Sequence, residues 1–536
     1  MKKNDEIKIE ITALNSDGYG VGRYLGEVVF VPNTLPGETV EVHIIKCAKN
    51  YSVGKLMRVL APSKDRIEPK CKYFYSCGGC DFQFMNYDAQ LKEKCESALK
   101  NINKLSCESL TIDKIISSDE QFFYRNKAQF PIKMVNGEVK IGFFAPRSHR
   151  IVDIDECILQ QKQCNKIINV LREAINKFNV SVYDEETHSG VLRHAVARNA
   201  CEGLMLILVA NSNKKLPQDF IDFIAKSLTS IKSIIQNVNT QKGNVILGND
   251  CITLWGNDFV RDEMCGITFN LRPKAFLQIN TKQTENLYSR ALELAQIDKK
   301  DIVFDAYCGI GIMSLMLAKK CKKLIGVEIV PEAIASAIEA SKINDVKNAE
   351  FLVGACEDVL PNLISKDQKP DVLVVDPPRA GCEESLLEAI SKAEIKKIVY
   401  VSCNPSTLAR DIKILSEFGY AASNLTFVDM FPQTKHIETV VCLSRKKVND
   451  RINFDINIEA LPDRVSKTAT YAEIKAYVLE HYGFKVSSLY IAQIKDKHGI
   501  KERENYNIGE GKSKELICPP EKEEAITNAL KHFNMI

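Results

Sequence analysis

The stretch from Ile302 to Gly311 constrains the fold of this chain most strongly. It reads Ile-Val-Phe-Asp-Ala-Tyr-Cys-Gly-Ile-Gly, an apolar run that ends in a tight glycine turn. A buried strand followed by such a turn and a helix is the usual beginning of a doubly wound α/β sheet, which binds ligands at the carboxyl ends of its strands. A dinucleotide is not favoured, because the full three-glycine pattern is absent.

Two further strand patterns end at acidic residues of the same predicted sheet. The run from Lys323 is apolar until Glu328, a carboxylate 19 residues after Gly309. An acid at this position typically receives ribose hydroxyls, with a plain surface acid as the alternative. A later apolar run ends in Asp376-Pro-Pro, where the prolines fix a turn and leave Asp376 as a hydrogen-bond acceptor.

Another strand pattern ends abruptly at a cysteine. The run Val-Tyr-Val-Ser is followed by Cys403, and Asn404-Pro405 cannot continue the strand. The thiol of Cys403 is therefore predicted at the ligand-binding edge of the sheet. Glu438 lies downstream, in Phe-Pro-Gln-Thr-Lys-His-Ile-Glu. Together these residues predict an enzyme with a thiolate and a base at one site; the alternative is that Cys403 is only a buried strand-end residue.

Residues 1–62 alternate apolar stretches with glycine turns, which predicts five short strands in a small closed barrel of the OB type. Such barrels bind single-stranded nucleic acid through basic and aromatic side chains on an exposed face. The stretch resembles the TRAM domain, an RNA-binding barrel of tRNA- and rRNA-modifying enzymes. A solvated surface is the alternative for each of the predicted RNA contacts, which are Lys46, Lys49, Tyr51, Lys55 and Arg58.

Four of the 18 cysteines are set apart by their spacing. Cys71, Cys77 and Cys80 share one loop that contains two glycines, and Cys157 follows much later. Thiolates select zinc or iron–sulfur clusters, and structural zinc sites more usually offer two close cysteine pairs. Three ligands on one loop and a distant fourth therefore favour a [4Fe–4S] centre, with zinc or no metal as alternatives.

The overall charge and the apolar runs describe a globular protein. Net charge is +3, so affinity for nucleic acid must come from local patches. The start, Met-Lys-Lys-Asn-Asp-Glu, lacks the apolar core of a signal peptide. No uncharged apolar run approaches the roughly 20 residues of a membrane span. We therefore expect a cytoplasmic protein with no membrane partner.

Five motifs occur in the order found in the RNA uracil-5 methyltransferases. The chain resembles this family over roughly residues 4–446. With its TRAM barrel and four cysteines it looks like the iron–sulfur branch that modifies 23S rRNA. The motifs are Phe276-x-Gln278-x-Asn280, Asp305-Ala-Tyr-Cys-Gly-x-Gly311, Asp376-Pro-Pro-Arg-Ala-Gly381, Ser402-Cys-Asn-Pro405 and His436-x-Glu438.

The resemblance implies both cofactors and a reaction. A [4Fe–4S] cluster would be held by the four cysteines, and S-adenosylmethionine by Gln278, Tyr307, Gly309, Gly311, Glu328 and Asp376. Cys403 would add to C6 of a uridine, and Glu438 would remove the C5 proton. The alternatives are a tRNA uridine-5 methyltransferase, an RNA cytosine-5 methyltransferase, or a ribosome-assembly factor that binds RNA without chemistry.

Four domains are predicted from these patterns, in a chain that we expect to be a monomer. Part of residues 86–119 is a candidate for packing on the catalytic domain. In the tail, Thr470 and Glu473 are predicted to form a capping box, and the order of three helices with a strand at 515–518 suggests a winged helix. The domains are a barrel (1–62), a mixed α+β iron–sulfur and RNA-recognition domain (63–272), a Rossmann-like methyltransferase domain (273–446) and a small α/β extension (447–536).

Overall fold

The computed structural model describes residues 1–366, 368–446, 469–498, 500, 518–533 and 535–536. The chain forms two compact units, residues 1–447 and 448–536. Every predicted site residue lies in the first unit, which contains a barrel and two large sheets. Among the helices of the described ranges, none is both long and apolar enough to cross a bilayer.

The barrel predicted at the start of the chain is confirmed. Its strands are β1 (Glu6–Leu14), β2 (Gly20–Tyr24), β3 (Glu27–Val31), β4 (Thr39–Cys47) and β5 (Tyr51–Ala61). They close in the order β1-β2-β3-β5-β4, and alternate residues of β1 point into the barrel core. All five side chains predicted to contact RNA are exposed, on β4, β5 and the turn between them. Arg58 also pairs with Glu41 across these strands, at 3.0 Å.

The central part of the first unit is a seven-stranded sheet. Its strands are β7 (Lys127–Val135), β8 (Glu138–Phe144), β9 (Ile151–Asp153), β10 (Leu192–Asn199), β11 (Leu204–Ala210), β12 (Ile231–Val238) and β13 (Asp250–Gly256). They lie in the order β13-β12-β11-β10-β7-β8-β9. Two amphipathic helices, α2 (Lys162–Phe178) and α3 (Gln218–Ser227), bury their apolar faces in the core of this sheet. A separate hairpin follows, formed by β14 (Val260–Met264) and β15 (Ile267–Leu271).

The predicted doubly wound sheet is also present. Its strands are β16 (Ile302–Ala306), β17 (Lys323–Glu328), β18 (Ala349–Val353), β19 (Val372–Val375), β20 (Lys397–Ser402), β21 (Tyr420–Val428), β22 (Glu438–Arg445) and an added edge strand, β6 (Ile112–Ile116). Their order is β18-β17-β16-β19-β20-β22-β21-β6, in which the first five are parallel and β22 is antiparallel to its neighbours.

Helices cover both faces of this sheet. Val303 and Phe304 on β16 enter two separate cores, as alternate residues of a strand buried on both faces must. The helices are α4 (Thr281–Ala295), α5 (Ile312–Ala318), α6 (Pro331–Ile343), α7 (Cys356–Ser365), α8 (Glu384–Lys392) and α9 (Pro405–Glu417).

One segment that precedes the central sheet in sequence packs on the doubly wound sheet. The helix α1 (Tyr87–Ser106) packs on α9, and β6 pairs in parallel with β21. A fully buried ion pair joins the two parts, because Lys94 Nζ lies 2.8 Å from the Asp429 carboxylate. Residues upstream of the central sheet therefore help to build the doubly wound sheet.

The second unit contains three helices in the described ranges. They are α10 (Tyr471–Tyr482), α11 (Ser488–Lys497) and α12 (Pro520–His532), and their apolar faces share a small core. The capping box of Thr470 and Glu473 is confirmed, and Gly483 ends α10 with φ +74°. The predicted strand at 515–518 lies outside the described residues except for Cys518, so the winged helix stays a prediction.

Candidate active site

The glycine turn after β16 lies directly against Glu328. Gly309 and Gly311 have φ of +55° and +81°, a region that favours glycine. A Cβ on Gly311 would lie only 2.8 Å from the Cβ of Ala337, so the turn has no room for a side chain there. The Glu328 carboxylate accepts hydrogen bonds from the backbone N–H of Gly309 at 3.2 Å and of Val330 at 3.0 Å. The turn and the acid predicted from spacing thus form one site.

Apolar side chains are exposed around this turn. Ile329 and Val330 follow the end of β17 and are 66% and 46% exposed, and Val353 at the end of β18 is 51% exposed. Exposed apolar groups beside a few precise polar groups are typical of ligand sites. A carboxylate for ribose hydroxyls and apolar surface for a base fit a nucleoside, as in S-adenosylmethionine. Tyr307, in the turn itself, is half-buried with φ +64°.

Two buried carboxyl groups, those of Asp305 and Asp376, lie on or directly after neighbouring strands of the sheet. Asp305 accepts a hydrogen bond from the Ser314 hydroxyl, while its second oxygen has no partner among the described residues. Burial raises the pKa of Asp305 to about 7, with further contributions from Asp376 and Glu328. Burial also raises the pKa of Asp376 to about 6. A surplus of buried acceptors fits a ligand that carries positive charge and N–H donors, as S-adenosylmethionine does.

Cys403 follows the last residue of β20, where the sequence placed it. Asn404 caps α9, its side chain accepting from the backbone N–H of Ser406 at 3.1 Å, and Pro405 occupies the first helical position. The strand therefore stops at Cys403, whose half-buried side chain lines a cavity of about 270 Å³.

Glu438 is the first residue of β22 and is 3% exposed. The antiparallel register pairs Ser402 with Thr439, which brings Glu438 beside Cys403 at the same edge of the sheet. Burial raises the pKa of Glu438 to about 8 and that of Cys403 to about 11. The charge of Asp376 raises both values, and the charge of Arg379 lowers both. The structure thus brings Cys403, Glu438 and Asp376 into one electrostatic neighbourhood.

A stability test follows from the raised pKa of Glu438. Between its ordinary value of 4.5 and about 8, the folded protein binds the proton more tightly than the unfolded chain, so stability falls as pH rises through this window. We expect Glu438→Gln to raise the melting temperature of the unliganded protein at pH 8–9 and much less at pH 5. The gain should be on the order of 1 kcal/mol or more. Glu417→Gln, at an exposed position, is the control. An equal rise in melting temperature of Glu438→Gln at both pH values would contradict a raised pKa for Glu438.

The segment that leads into Glu438 is held by α1. Lys94 Nζ donates to Asp429 at 2.8 Å, and the side-chain amide of Gln90 donates to that of Gln433 at 3.1 Å. The backbone N–H of Gln433 returns a hydrogen bond to Gln90 at 3.2 Å. This helix is therefore part of the support of the active site.

Breaking the Lys94–Asp429 pair should be costly. Lys94→Met leaves a buried carboxylate without its cation, which typically costs about 3–5 kcal/mol. We expect a lower free energy of unfolding in denaturant titrations, with part of the loss recovered in Lys94→Met/Asp429→Leu. Lys92→Met, an exposed position on the same helix, is the control. A Lys94→Met protein as stable as that control would show that the pair contributes little.

Gln278 lies in the segment between β15 and α4. It is half-buried, and its backbone carbonyl accepts a hydrogen bond from the Asn126 side chain at 3.0 Å. Asn280 caps α4. The central sheet thus helps to position this segment, and the role of Gln278 toward a cofactor stays a prediction.

The predicted iron–sulfur centre is not shown by the structure. Among the described residues, no three His, Cys, Asp or Glu side chains are arranged so that they could hold a metal ion. The fold does bring the four cysteines into one neighbourhood. Burial is the main cause that raises the pKa of Cys77 to about 11 and of Cys80 to about 12, and the charge of Cys157 adds to both. Cys80 Sγ instead accepts a hydrogen bond from Gln83 at 3.2 Å.

Two family models match the chain. The model of tRNA (uracil-5-)-methyltransferases matches residues 86–446, and that of the TRAM domain matches residues 2–57. The chain belongs to the tRNA (uracil-5-)-methyltransferase family. The resemblance seen in the five motifs is thereby confirmed at the level of the family.

Relatives and a solved structure agree with this assignment. An uncharacterized RNA methyltransferase of Clostridium tetani is 45% identical over 447 residues, which cover 83% of this chain and 97% of that protein. One of Clostridium acetobutylicum is 45% identical over 451 residues, 83% and 98% of the two chains. The Pyrococcus abyssi tRNA (uracil-54, C5)-methyltransferase in complex with S-adenosyl-L-homocysteine is 30% identical with a TM-score of 0.66, covering 81% of this chain and 99% of that one.

This member of the uracil-5 methyltransferase family is therefore an RNA methyltransferase that uses S-adenosylmethionine. The sequence prediction missed Arg379 as a site residue, although it directly follows Asp-Pro-Pro. It also missed Lys94 and Gln90. Their position on an ordinary amphipathic helix carries no signal of a contact more than 300 residues away.

Proposed function

We propose that the protein methylates C5 of a uridine in RNA through a transient bond between Cys403 and C6 of the base. The observation that carries this proposal is the placement of a half-buried thiol beside a buried carboxyl, at the ligand-binding edge of a doubly wound sheet. Uracil C5 is too weak a nucleophile to take a methyl group unaided, so a thiolate at C6 is the activation that it requires.

The residues act in a fixed order in this proposal. S-adenosylmethionine, when bound, would supply an electrophilic methyl group, whose bond to the sulfonium sulfur breaks on transfer to C5 and leaves S-adenosylhomocysteine. The Cys403 thiolate forms a bond to C6, and the electron pair moves to make C5 nucleophilic. Once C5 carries the methyl group, the Glu438 carboxylate removes its proton. The C5–H electrons restore the ring double bond, the C6–S bond breaks, and the thiolate of Cys403 is released.

The charges of the site act on both the nucleophile and the base. A buried thiol with a raised pKa is a poor nucleophile at neutral pH; the charge of Arg379 and a backbone hydrogen bond act against this rise and favour the thiolate of Cys403. Burial raises the pKa of Glu438 to about 8, so the group is mostly protonated in the unliganded protein at neutral pH, and its carboxylate form is a stronger base than an ordinary carboxylate. The target base must leave its stack to reach both groups, because an enzyme cannot work on a base inside a duplex.

The RNA that carries the target uridine is proposed to be 23S rRNA, because the TRAM barrel and the cysteine spacing resemble those of the iron–sulfur branch that modifies this RNA. A tRNA target is an equally good candidate, because the Pyrococcus abyssi protein of similar structure is a tRNA methyltransferase by name.

The test is methylation of purified 23S rRNA and of bulk tRNA, both from a strain that lacks this protein, with radiolabelled S-adenosylmethionine. Mapping 5-methyluridine then gives the position. Release of tritium from [5-³H]cytidine-labelled but not uridine-labelled RNA would overturn the uridine assignment.

A [4Fe–4S] cluster held by Cys71, Cys77, Cys80 and Cys157 stays part of the proposal. Its support is the neighbourhood that the four thiols share, three from one loop and one from a distant segment. Methyl transfer needs no redox step, so the role would be structural. Anaerobically purified protein should contain about four iron and four acid-labile sulfide atoms, a content that a Cys77→Ala variant should lose. A preparation without iron would exclude the cluster.

A further inference from the structure

The open cavity beside Cys403 is lined by three parts of the chain that are distant in sequence. One wall is the catalytic edge, which includes Arg379 and Cys403. A second wall is α1, through Ser97 and Asn101 among others. The third is the end of β1 and the loop between β1 and β2, where Leu14 of the strand and Asn15, Ser16 and Gly18 of the loop line the same cavity. The N-terminal barrel therefore reaches the space into which the Cys403 side chain opens.

The β1–β2 loop is docked at this place by specific contacts. The Asp17 carboxylate pairs with Lys435 Nζ at 2.8 Å, and Lys435 lies three residues before Glu438. Gly18, with φ +76°, lies so close to the ring of Phe82 that a Cβ would be 2.8 Å from it. The loop thus rests on the segment that carries the catalytic base.

The turn also has a defined shape. The Asn15 side chain accepts hydrogen bonds from the backbone N–H groups of Asp17 at 3.0 Å and Tyr19 at 2.9 Å. This arrangement is an Asx-type turn, which fixes the loop locally. Ser16 lies at its exposed tip, on the cavity side of the loop.

The cavity wall suits an RNA backbone. It presents hydroxyl and amide groups, among them Asn101, whose Nδ2 donates to the Ser406 hydroxyl at 2.8 Å. Lys435 and Lys94 also line it, each already paired with an acid, and so does the carboxyl group of Glu93, while Arg379 brings positive charge close to Cys403. Hydroxyls, amides and a guanidinium are the groups that contact phosphate and ribose.

We propose that the barrel is a part of the active site: its β1–β2 loop and α1 enclose the RNA backbone next to the target uridine. This inference rests on the proposed function and adds to it a second role for the barrel. RNA contacts on the outer face of β4 and β5 would raise overall affinity. The β1–β2 loop instead limits the conformations of the RNA backbone that can bring a uridine to Cys403.

Two variants that fill the cavity from opposite walls test this proposal. Ser16→Trp places a large ring on the barrel loop, and Ser97→Trp places one on α1. The matched controls are Leu25→Trp, in the exposed β2–β3 turn of the same barrel, and Glu96→Trp, on the outer face of the same helix. The measured quantities are kcat/KM for the RNA that the parent protein methylates, the Kd of S-adenosylhomocysteine, and the melting temperature.

Both cavity variants should lose about 10- to 100-fold in kcat/KM, because small displacements of a reacting group have effects of this size. Their Kd for S-adenosylhomocysteine should match the parent, and both controls should stay within about twofold of the parent in kcat/KM. If Ser16→Trp destabilises the fold, the smaller Ser16→Leu variant takes its place.

The outcomes separate this inference from the proposed function. If the parent protein methylates no uridine in RNA, the proposed function fails and the inference fails with it. If the parent is active and both cavity variants behave as their controls, the inference alone is overturned. A loss confined to Ser97→Trp also overturns it, because the barrel loop would then not contact the substrate.

Discussion

Replacement of Cys403 by serine is expected to lower the rate of RNA methylation by at least about 10³-fold. A serine hydroxyl at neutral pH is a far weaker nucleophile than a thiolate, and removal of a covalent nucleophile typically costs several orders of magnitude. Because the side chain is half-buried and at the end of a strand, the isosteric change should leave the fold intact. The measurement is single-turnover transfer of labelled methyl groups from S-adenosylmethionine to RNA.

The matched control is Cys442→Ser, in the strand that pairs with β20. Cys442 is buried next to Ser444 in the same sheet and does not line the cavity beside Cys403. The variant therefore reports the effect of a cysteine-to-serine change on the sheet alone. Its rate should remain within a few-fold of the parent. A Cys403→Ser protein that kept the parent rate would rule out thiolate addition, whatever the control shows.

Glu438→Gln should stop the reaction at a later step than Cys403→Ser does. Methyl transfer should occur, and the RNA should then stay bound to the protein. The amide cannot remove the C5 proton, so the C6–S bond cannot break after methyl transfer. We expect turnover to fall by about 10²-fold or more, as for loss of a general base. A protein–RNA complex that survives denaturation and carries the labelled methyl group should accumulate on gels.

Two companion variants make this result specific. Glu438→Gln/Cys403→Ser should form no complex, because the thiol that joins protein to RNA is absent. Glu417→Gln, at an exposed position on α9, should turn over as the parent does. If Glu438→Gln released methylated RNA at the parent rate, another group would have to be the base. The buried carboxyl of Asp376, whose charge acts on both Cys403 and Glu438, would then be tested next.

The sequence by itself determined the local elements of the site. The apolar run and the two glycines of Ile302–Gly311 predict a strand and a tight turn, because glycine adopts without strain the positive φ that Gly309 and Gly311 have. Asn404-Pro405 ended a strand at Cys403 and began a helix, as the cap on α9 shows. These features depend on neighbours within a few residues, and so do the barrel strands with their alternating pattern.

Only the tertiary structure decided which segments meet at Cys403. The antiparallel register of β22 brings Glu438 to the thiol, and buried contacts of α1 hold the segment before it. The β1–β2 loop lines the cavity from more than 380 residues away. Such contacts arise from the packing of whole sheets and helices. A polar residue that makes them looks, in sequence, like any other residue on a helix or in a turn.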